Sequence, residues 1–185
     1  MKGRISNLNA FIADITNYSR NSRLGITIEK VNLLDLVTDV LQDLEHFENR
    51  NREEIDSIIP AELEIDTDKN RLKVILSNLV NNAIKYHNYD SNNPKIEIKA
   101  SQKGDVYIIE IVDNGLGIAS EHHQHLFDMF YRATEKSDGS GLGLYIVKET
   151  VDKLSGSITL NSEVGAGSAF TLSLPKLNPS NYTAA

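Results

Sequence analysis

The chain opens on a narrow apolar stripe. Ile5, Leu8, Ile12 and Ile15 recur at spacings of three, four and three, with mainly polar residues between them. This is the seam of a helix over residues 1–20, and a stripe so narrow needs a partner: a hairpin or inter-chain helix, or alternatively the rest of its own domain. Asn21 to Gly25 breaks the pattern, and Ile26 to Val31 can form a short strand. Asn32 then stands where it can cap a helix reaching about Asn49, with Leu33, Leu36, Val37, Val40, Leu41 and Leu44 on one face. Ile55–Ile59 and Leu63–Ile65 read as short strands around Pro60, and Asp68 can cap a further helix to about Tyr86. Lys95–Ser101 and Val106–Val112 alternate as strands about the turn Lys103-Gly104-Asp105. Residues 119–130 predict a short helix. Residues 141–154 predict a longer one, with Leu144, Val147, Val151 and Leu154 inward and Gly156 as its stop. Ser157–Ser162 and Ala169–Leu174 are strands around Gly165 and Gly167, and the tail from Pro175 is expected to fray.

Helices alternating with antiparallel hairpins, and no internal repeat, predict an α+β domain in which one sheet is covered on one face by helices. The composition allows this: 40% of the 185 residues are apolar, enough for a real core. A net charge of −7 argues against general nucleic-acid binding. With no cysteine, disulfides and thiolate metal sites are excluded. No apolar run approaches a membrane span, and Met1-Lys2-Gly3-Arg4 does not open a signal peptide. The expected setting is cytoplasmic, either free or as the cytosolic portion of a membrane-anchored protein.

Three polar constellations stand out against this frame. On the helix ending near residue 86, Asn78, Asn82, Lys85 and Tyr86 fall within about 100° of one another, beside the apolar face. An unpaired buried amide costs about 1–3 kcal/mol, so two stacked asparagines either bond nearby backbone or ligate. Their carbonyl oxygens suit a hard cation such as Mg²⁺, and Lys85 suits a phosphate. After the second alternating strand comes Asp113-Asn114-Gly115-Leu116-Gly117-Ile118. Asp113 can accept from an exocyclic amine where a carbonyl would be repelled, and the glycines admit a flat base. A hairpin turn is the alternative, but Gly117-Ile118 extends past a two-residue turn. Third, Gly139-Ser140-Gly141-Leu142-Gly143-Leu144 opens a helix and offers backbone N–H groups to a polyphosphate. It matches neither the P-loop nor the Rossmann spacing. Residues 131–140 read as a mobile lid beside it, and Gly165-Ala166-Gly167-Ser168 closes the series. Together these segments suggest an adenine nucleotide site.

In this order the segments resemble the N, G1, F, G2 and G3 boxes of the sensor histidine kinase catalytic domain, in the superfamily of DNA gyrase, Hsp90 and MutL. Residues 78–86 resemble the N box and 113–118 match G1. Phe127-Asp128-Met129-Phe130-Tyr131-Arg132 resembles the F box, and 139–144 resembles G2. Residues 165–170 resemble G3, with Ser168 where threonine is more usual. The resemblance covers roughly residues 26–175. It implies a two-layer α/β sandwich of the Bergerat type with a mixed, mainly antiparallel sheet, preceded by a helix. It implies ATP and Mg²⁺, the metal held by Asn78 and Asn82. Lys85 and Arg132 would meet phosphates, with Tyr86 bordering the base. Asp113 would read the adenine amine within the loop of Gly115, Gly117 and Ile118, assisted by Ser168 through a water. Gly139, Gly141, Leu142, Gly143 and Leu144 would line the phosphate side. Phe127 and Phe130 would anchor the lid or pack in the core. Gyrase-like relatives carry a water-activating glutamate four residues before the metal-binding asparagine. That position here is Asn78, which favours the kinase branch over an ATPase or conformational clamp. A nucleotide-binding interaction module without catalysis is the third alternative.

The family's kinases phosphorylate a histidine in a His-Glu/Asp-x-x-x-Pro-like box, and His46, His87, His122, His123 and His125 all lack that context. No catalytic residue is therefore assigned within the chain. The spacing of the last three histidines does not converge three rings on a metal. The expected division is a partial dimerisation and phosphoacceptor hairpin at 1–22, the catalytic ATP-binding domain at 26–177 and a tail at 178–185. The implied partners are an acceptor histidine helix of the same or a partner chain, a response regulator receiver domain and a second copy in the full-length protein. No nucleic-acid partner is expected.

Overall fold

The computed structural model describes residues 25–45, 54–88, 94–133 and 140–178. The expected helix over 1–20, the final residues 46–49 of the next helix, most of the loop before Pro94, residues 134–139 of the lid and the tail from residue 179 lie outside them.

The elements in chain order are β1 (Glu29–Asn32), α1 (Leu33–Glu45), β2 (Glu54–Ile58), β3 (Glu64–Thr67), α2 (Lys69–Lys85), β4 (Lys95–Lys103) and β5 (Val106–Asp113). A short 3₁₀ helix (Ser120–His125), α3 (Gly143–Lys153), β6 (Ser157–Glu163) and β7 (Gly167–Pro175) follow. Five strands form one sheet in the order β2-β4-β5-β7-β6, with β2–β4 parallel and the other pairs antiparallel. The alternation places Ile96 and Ile98 of β4, Ile109 and Ile111 of β5, and Phe170 and Leu172 of β7 in the core. The opposite face carries a charge ladder, in which Lys95 Nζ lies 3.0 Å from Asp56 and 3.1 Å from Glu97. The α2 helix is the central element of the helical layer, packed on α1 and on α3. Its Leu72, Ile75, Leu76, Leu79 and Val80 are buried between them and the sheet.

A single sheet was predicted, but β1 and β3 pair with each other as a separate two-stranded ribbon. Each runs straight into a capped helix, so the helical layer sets its direction. Asn32 Oδ1 accepts from Asp35 N at 3.0 Å to start α1. Asp68 Oδ1 accepts from Arg71 N at 3.0 Å to start α2. The predicted helix at 119–130 is only the 3₁₀ segment, and Phe130 at the end of the predicted range takes φ 66°, outside the right-handed helical region. The α3 helix begins at Gly143, where the Leu142 carbonyl accepts from Ile146 N at 2.8 Å. Past Lys153 the left-handed residue is Ser155, φ 56°, one position before the predicted stop. The tail does not fray at Pro175. Lys176 N donates to Asp105 O at 2.8 Å, and Leu177 is buried in the core.

Asp68 does more than cap α2. Its Oδ2 accepts from Thr27 N at 3.0 Å and from the Arg71 guanidinium, which also donates to Gly25 O at 3.1 Å. Both side chains are buried. The pair thus ties the segment leading into the domain to the first turn of its central helix. Asp68→Ala removes a cap worth about 1 kcal/mol and strips a buried guanidinium of its carboxylate, a loss typically of about 3–5 kcal/mol. We expect urea unfolding to show at least about 3 kcal/mol of destabilisation.

Candidate functional site

The site is built where α2, the end of β5 and the start of α3 converge. Asn78 and Asn82 sit half-buried on one face of α2. Asn78 Nδ2 donates to Val74 O at 2.9 Å, so the amide is partly satisfied by its own helix, as the backbone alternative required. Its orientation is therefore fixed, and Oδ1 points away toward α3. A Cβ placed on Gly143 would come within 2.8 Å of that oxygen. The first residue of α3 has to be small for the two helices to meet with the Asn78 carbonyl between them. Lys85 is half-buried with Nζ 4.9 Å from the centroid of the partly exposed Tyr86 ring, a cation–π contact at the end of the helix.

The β5 end joins this helix through main chain. Leu116 N donates to Tyr86 O at 3.0 Å. Two glycines make the loop possible. A Cβ on Gly117, φ 67°, would stand 1.9 Å from Glu163 O, and one on Gly167, φ 96°, would stand 2.0 Å from Asp113 O. Asp113 pairs with Ser168 across β5–β7, and Ser168 pairs with Ser162 across β7–β6, so the three side chains form one row on the inner face. The Asp113 carboxylate accepts from Gly115 N at 2.9 Å. Burial pushes its pKa up, and backbone N–H groups of Gly115 and Ser168 pull it part of the way back.

On the α3 side, Leu142 is buried and Leu144 packs against the core. Ser140 Oγ accepts from Leu142 N at 3.2 Å. Leu142, at the start of the helix, makes no side-chain capping bond. Gly139 lies outside the described residues. Phe127 packs against the core, whereas Phe130 is 53% exposed and acts through its backbone, donating to Gly141 O at 3.1 Å. Arg132 is exposed just beyond it, and Ile118 is half-buried. The histidines of the 3₁₀ segment diverge. His122 bonds Tyr131 Oη, His123 bonds Ile118 O and His125 bonds Asp128. Among the described residues no group of side chains is arranged as a histidine- or acid-rich metal cluster.

The sequence reading missed Ser162. Its hydroxyl touches Ile118 N at 2.8 Å, Gly167 O at 2.8 Å and Ser168 Oγ at 3.0 Å. The period-two pattern of β6, which turns Ile158, Leu160 and Ser162 inward, was the signal that could have found it.

The oriented Asn78 amide, the part-buried Asp113 carboxylate beside two serines and the start of α3 thus meet at one corner of this two-layer fold, and the class of protein they point to is an ATP-binding domain. Residues 67–178 match the family described as histidine kinase-, DNA gyrase B-, and HSP90-like ATPase, and the chain belongs to that family. It is 29% identical over 95% of its length to the sensor histidine kinase AtsR of Burkholderia thailandensis. It is 33% identical over 90% to the autoinducer 2 sensor kinase/phosphatase LuxQ of Vibrio harveyi, and 32% identical over 84% to the sensor histidine kinase YkoH of Bacillus subtilis. The chain spans 30%, 20% and 34% of those three proteins. Among solved structures, the Acinetobacter baumannii histidine kinase AdeS superposes with a TM-score of 0.75 at 25% identity, over 94% of this chain and 81% of that one. The catalytic domain of the histidine kinase ThkA superposes with a TM-score of 0.71 at 26% identity, over 83% and 98% respectively. The domain is of the ATP-binding catalytic type found in sensor histidine kinases. No helix among the described residues is long and apolar enough to cross a membrane.

Two expectations follow from this geometry. The folded state holds the Asp113 proton more tightly than the unfolded chain, whose carboxyl titrates near the ordinary value of 3.8. That contribution to stability is complete below the unfolded value and is lost as pH rises through the folded one. Asp113→Asn should therefore gain melting temperature relative to wild type as pH is raised from about 4 to about 7, while losing ATP binding. Differential scanning calorimetry across that range checks the sign. Gly143→Ala should raise helix propensity by up to about 1 kcal/mol, yet displace the Asn78 amide. We expect thermal stability unchanged or lower, because the displaced amide loses its bond to Val74, with ATP affinity reduced about tenfold or more, read by calorimetric titration.

Proposed function

We propose that this domain transfers the γ-phosphoryl group of ATP to a histidine on a helical hairpin, as the catalytic part of a two-component sensor kinase. In that transfer the bond from γ-phosphorus to the ADP oxygen breaks and one to an imidazole nitrogen forms. The observation that carries the reading is Asn78. It occupies the position four before Asn82 where an ATPase of this superfamily needs a carboxylate base. Its Nδ2 is committed to Val74 O, leaving a neutral carbonyl oxygen toward α3. Such a group cannot take a proton from water, so phosphoryl transfer awaits a better nucleophile.

The remaining side chains fit an ATP reading. Asp113 is an acceptor for the adenine amine, with Ser168 beside it and Gly115, Gly117 and Ile118 shaping the loop. Tyr86 borders the base. Lys85 and Arg132 supply charge for phosphates, and residues 139–144 supply backbone N–H groups. The oriented Asn78 oxygen and the Asn82 amide form a hard-oxygen donor pair that suits Mg²⁺ bound with phosphates and water. When bound there, Mg²⁺ would neutralise phosphate charge. Residues 26–177 form this catalytic unit, with 1–22 belonging to a dimerisation hairpin and 178–185 trailing it. The partners are that hairpin, in this or a second copy of the chain, and a receiver domain downstream. We place the domain in the cytoplasm.

The test supplies in trans a hairpin carrying a His-Glu/Asp-x-x-x-Pro box together with γ-labelled ATP. We expect label on the hairpin with the acid lability of phosphohistidine, lost at least about a hundredfold with Asn82→Ala. Release of free phosphate as fast without the hairpin as label transfer with it would favour an ATPase. ATP binding without either outcome would leave an interaction module.

A further inference from the structure

Ser162 lies behind the base wall, and its hydrogen bonds fix more than its own position. The Gly167 carbonyl can only accept, so the Ser162 hydroxyl proton is spent on it, at 2.8 Å. Ile118 N–H donates to Ser162 Oγ, also at 2.8 Å, and uses one of its lone pairs. At the 3.0 Å contact with Ser168 Oγ, Ser162 therefore has only a lone pair left to offer. Ser168 must be the donor. Its single proton points back toward β6, and only lone pairs remain for any other partner. Ser168 is itself buried and stands next to Asp113 in the inner row. The wall made by Asp113 and Ser168 thus presents acceptors alone.

We propose that Ser162 is a specificity-determining residue, which holds the Ser168 hydroxyl as an acceptor and so selects purines bearing an amino group at carbon 6. This rests on the nucleotide reading of the site. An amine donates into a wall of acceptors, whereas a carbonyl at the same carbon finds no donor on the Asp113 carboxylate or on the Ser168 hydroxyl. Without Ser162 the Ser168 proton is released and can turn toward a carbonyl, while Asp113 is untouched. Ser162 acts through Ser168 and is a positioning residue.

The probes are ATP and inosine triphosphate, which differ by amine against carbonyl at carbon 6 and by the proton that hypoxanthine carries on N1. Affinities for both are measured by competition titration with Mg²⁺ present. We expect Ser162→Ala to lower the preference for ATP over inosine triphosphate about fivefold, the scale of one hydrogen bond. Ser162→Thr, which keeps the hydroxyl, should retain the wild-type ratio. Adding Ser162→Ala to Ser168→Ala should leave the ratio of the Ser168 variant unchanged. If Ser162→Ala weakens both nucleotides equally, its role is only structural and the proposal fails. Should that variant not fold, Ser168→Ala, which leaves the bonds of Ser162 to Ile118 and Gly167 in place, must lower the ratio by itself. An unchanged ratio there overturns the proposal equally. A wild-type protein that binds neither nucleotide removes the nucleotide reading and this proposal together, which sets that failure apart from an insensitive ratio in a protein that binds ATP.

Discussion

The site depends on backbone segments that touch without side chains between them. The loop after β5 lies against the β6–β7 turn so closely that Gly117 and Gly167 leave no room for a methyl group. The same loop is bonded to the last carbonyl of the central helix, at Tyr86. These contacts bring the Asp113 carboxylate, the end of α2 and the β6–β7 turn into one rigid corner. Interiors are packed closely enough that such a corner has few alternative arrangements. The carboxylate can then stay partly buried, at a cost in the unliganded protein, because its surroundings cannot collapse to hydrate it.

On the other side of the corner, two helices share one polar atom. The Asn78 carbonyl oxygen reaches toward the first residue of α3 while its amide nitrogen is tied back to its own helix. A residue that is a poor helix former thus becomes part of the α2–α3 contact. This explains how an amide tolerates a half-buried position. It also explains why the choice between backbone bonding and ligation was never exclusive: one end of the side chain does the first, and the other remains open to the second.

Much of this architecture was legible in the sequence. Both helix caps, Asn32 and Asp68, announced themselves by residue type and by the apolar periods that follow. The alternation in β4, β5 and β7 gave the inner face, and the glycine spacing around Asp113 and Ser168 pointed to close backbone approach. What stayed hidden had no local signature. Phe130 adopts a left-handed conformation that propensity assigns to glycine or asparagine, because the tertiary bond to Gly141 holds it there. The separation of β1 and β3 into their own ribbon follows from helix placement, not from strand pattern. Leu177 is held by the core and not by any sequence motif near it. Ser162 was visible only as one serine among several, since its importance lies in partners brought to it by three different segments.

The bond from Phe130 N to Gly141 O has a consequence for how this fold can diversify. It joins the two ends of the intervening stretch directly at the base, at 3.1 Å. The cost of closing a chain between two fixed ends grows only logarithmically, about 0.6 kcal/mol for each doubling of length. Insertions or deletions in that stretch are therefore absorbed beyond the bond and transmit little to the corner beneath it. Such domains can thus differ in length there while the bond between the two anchors is kept.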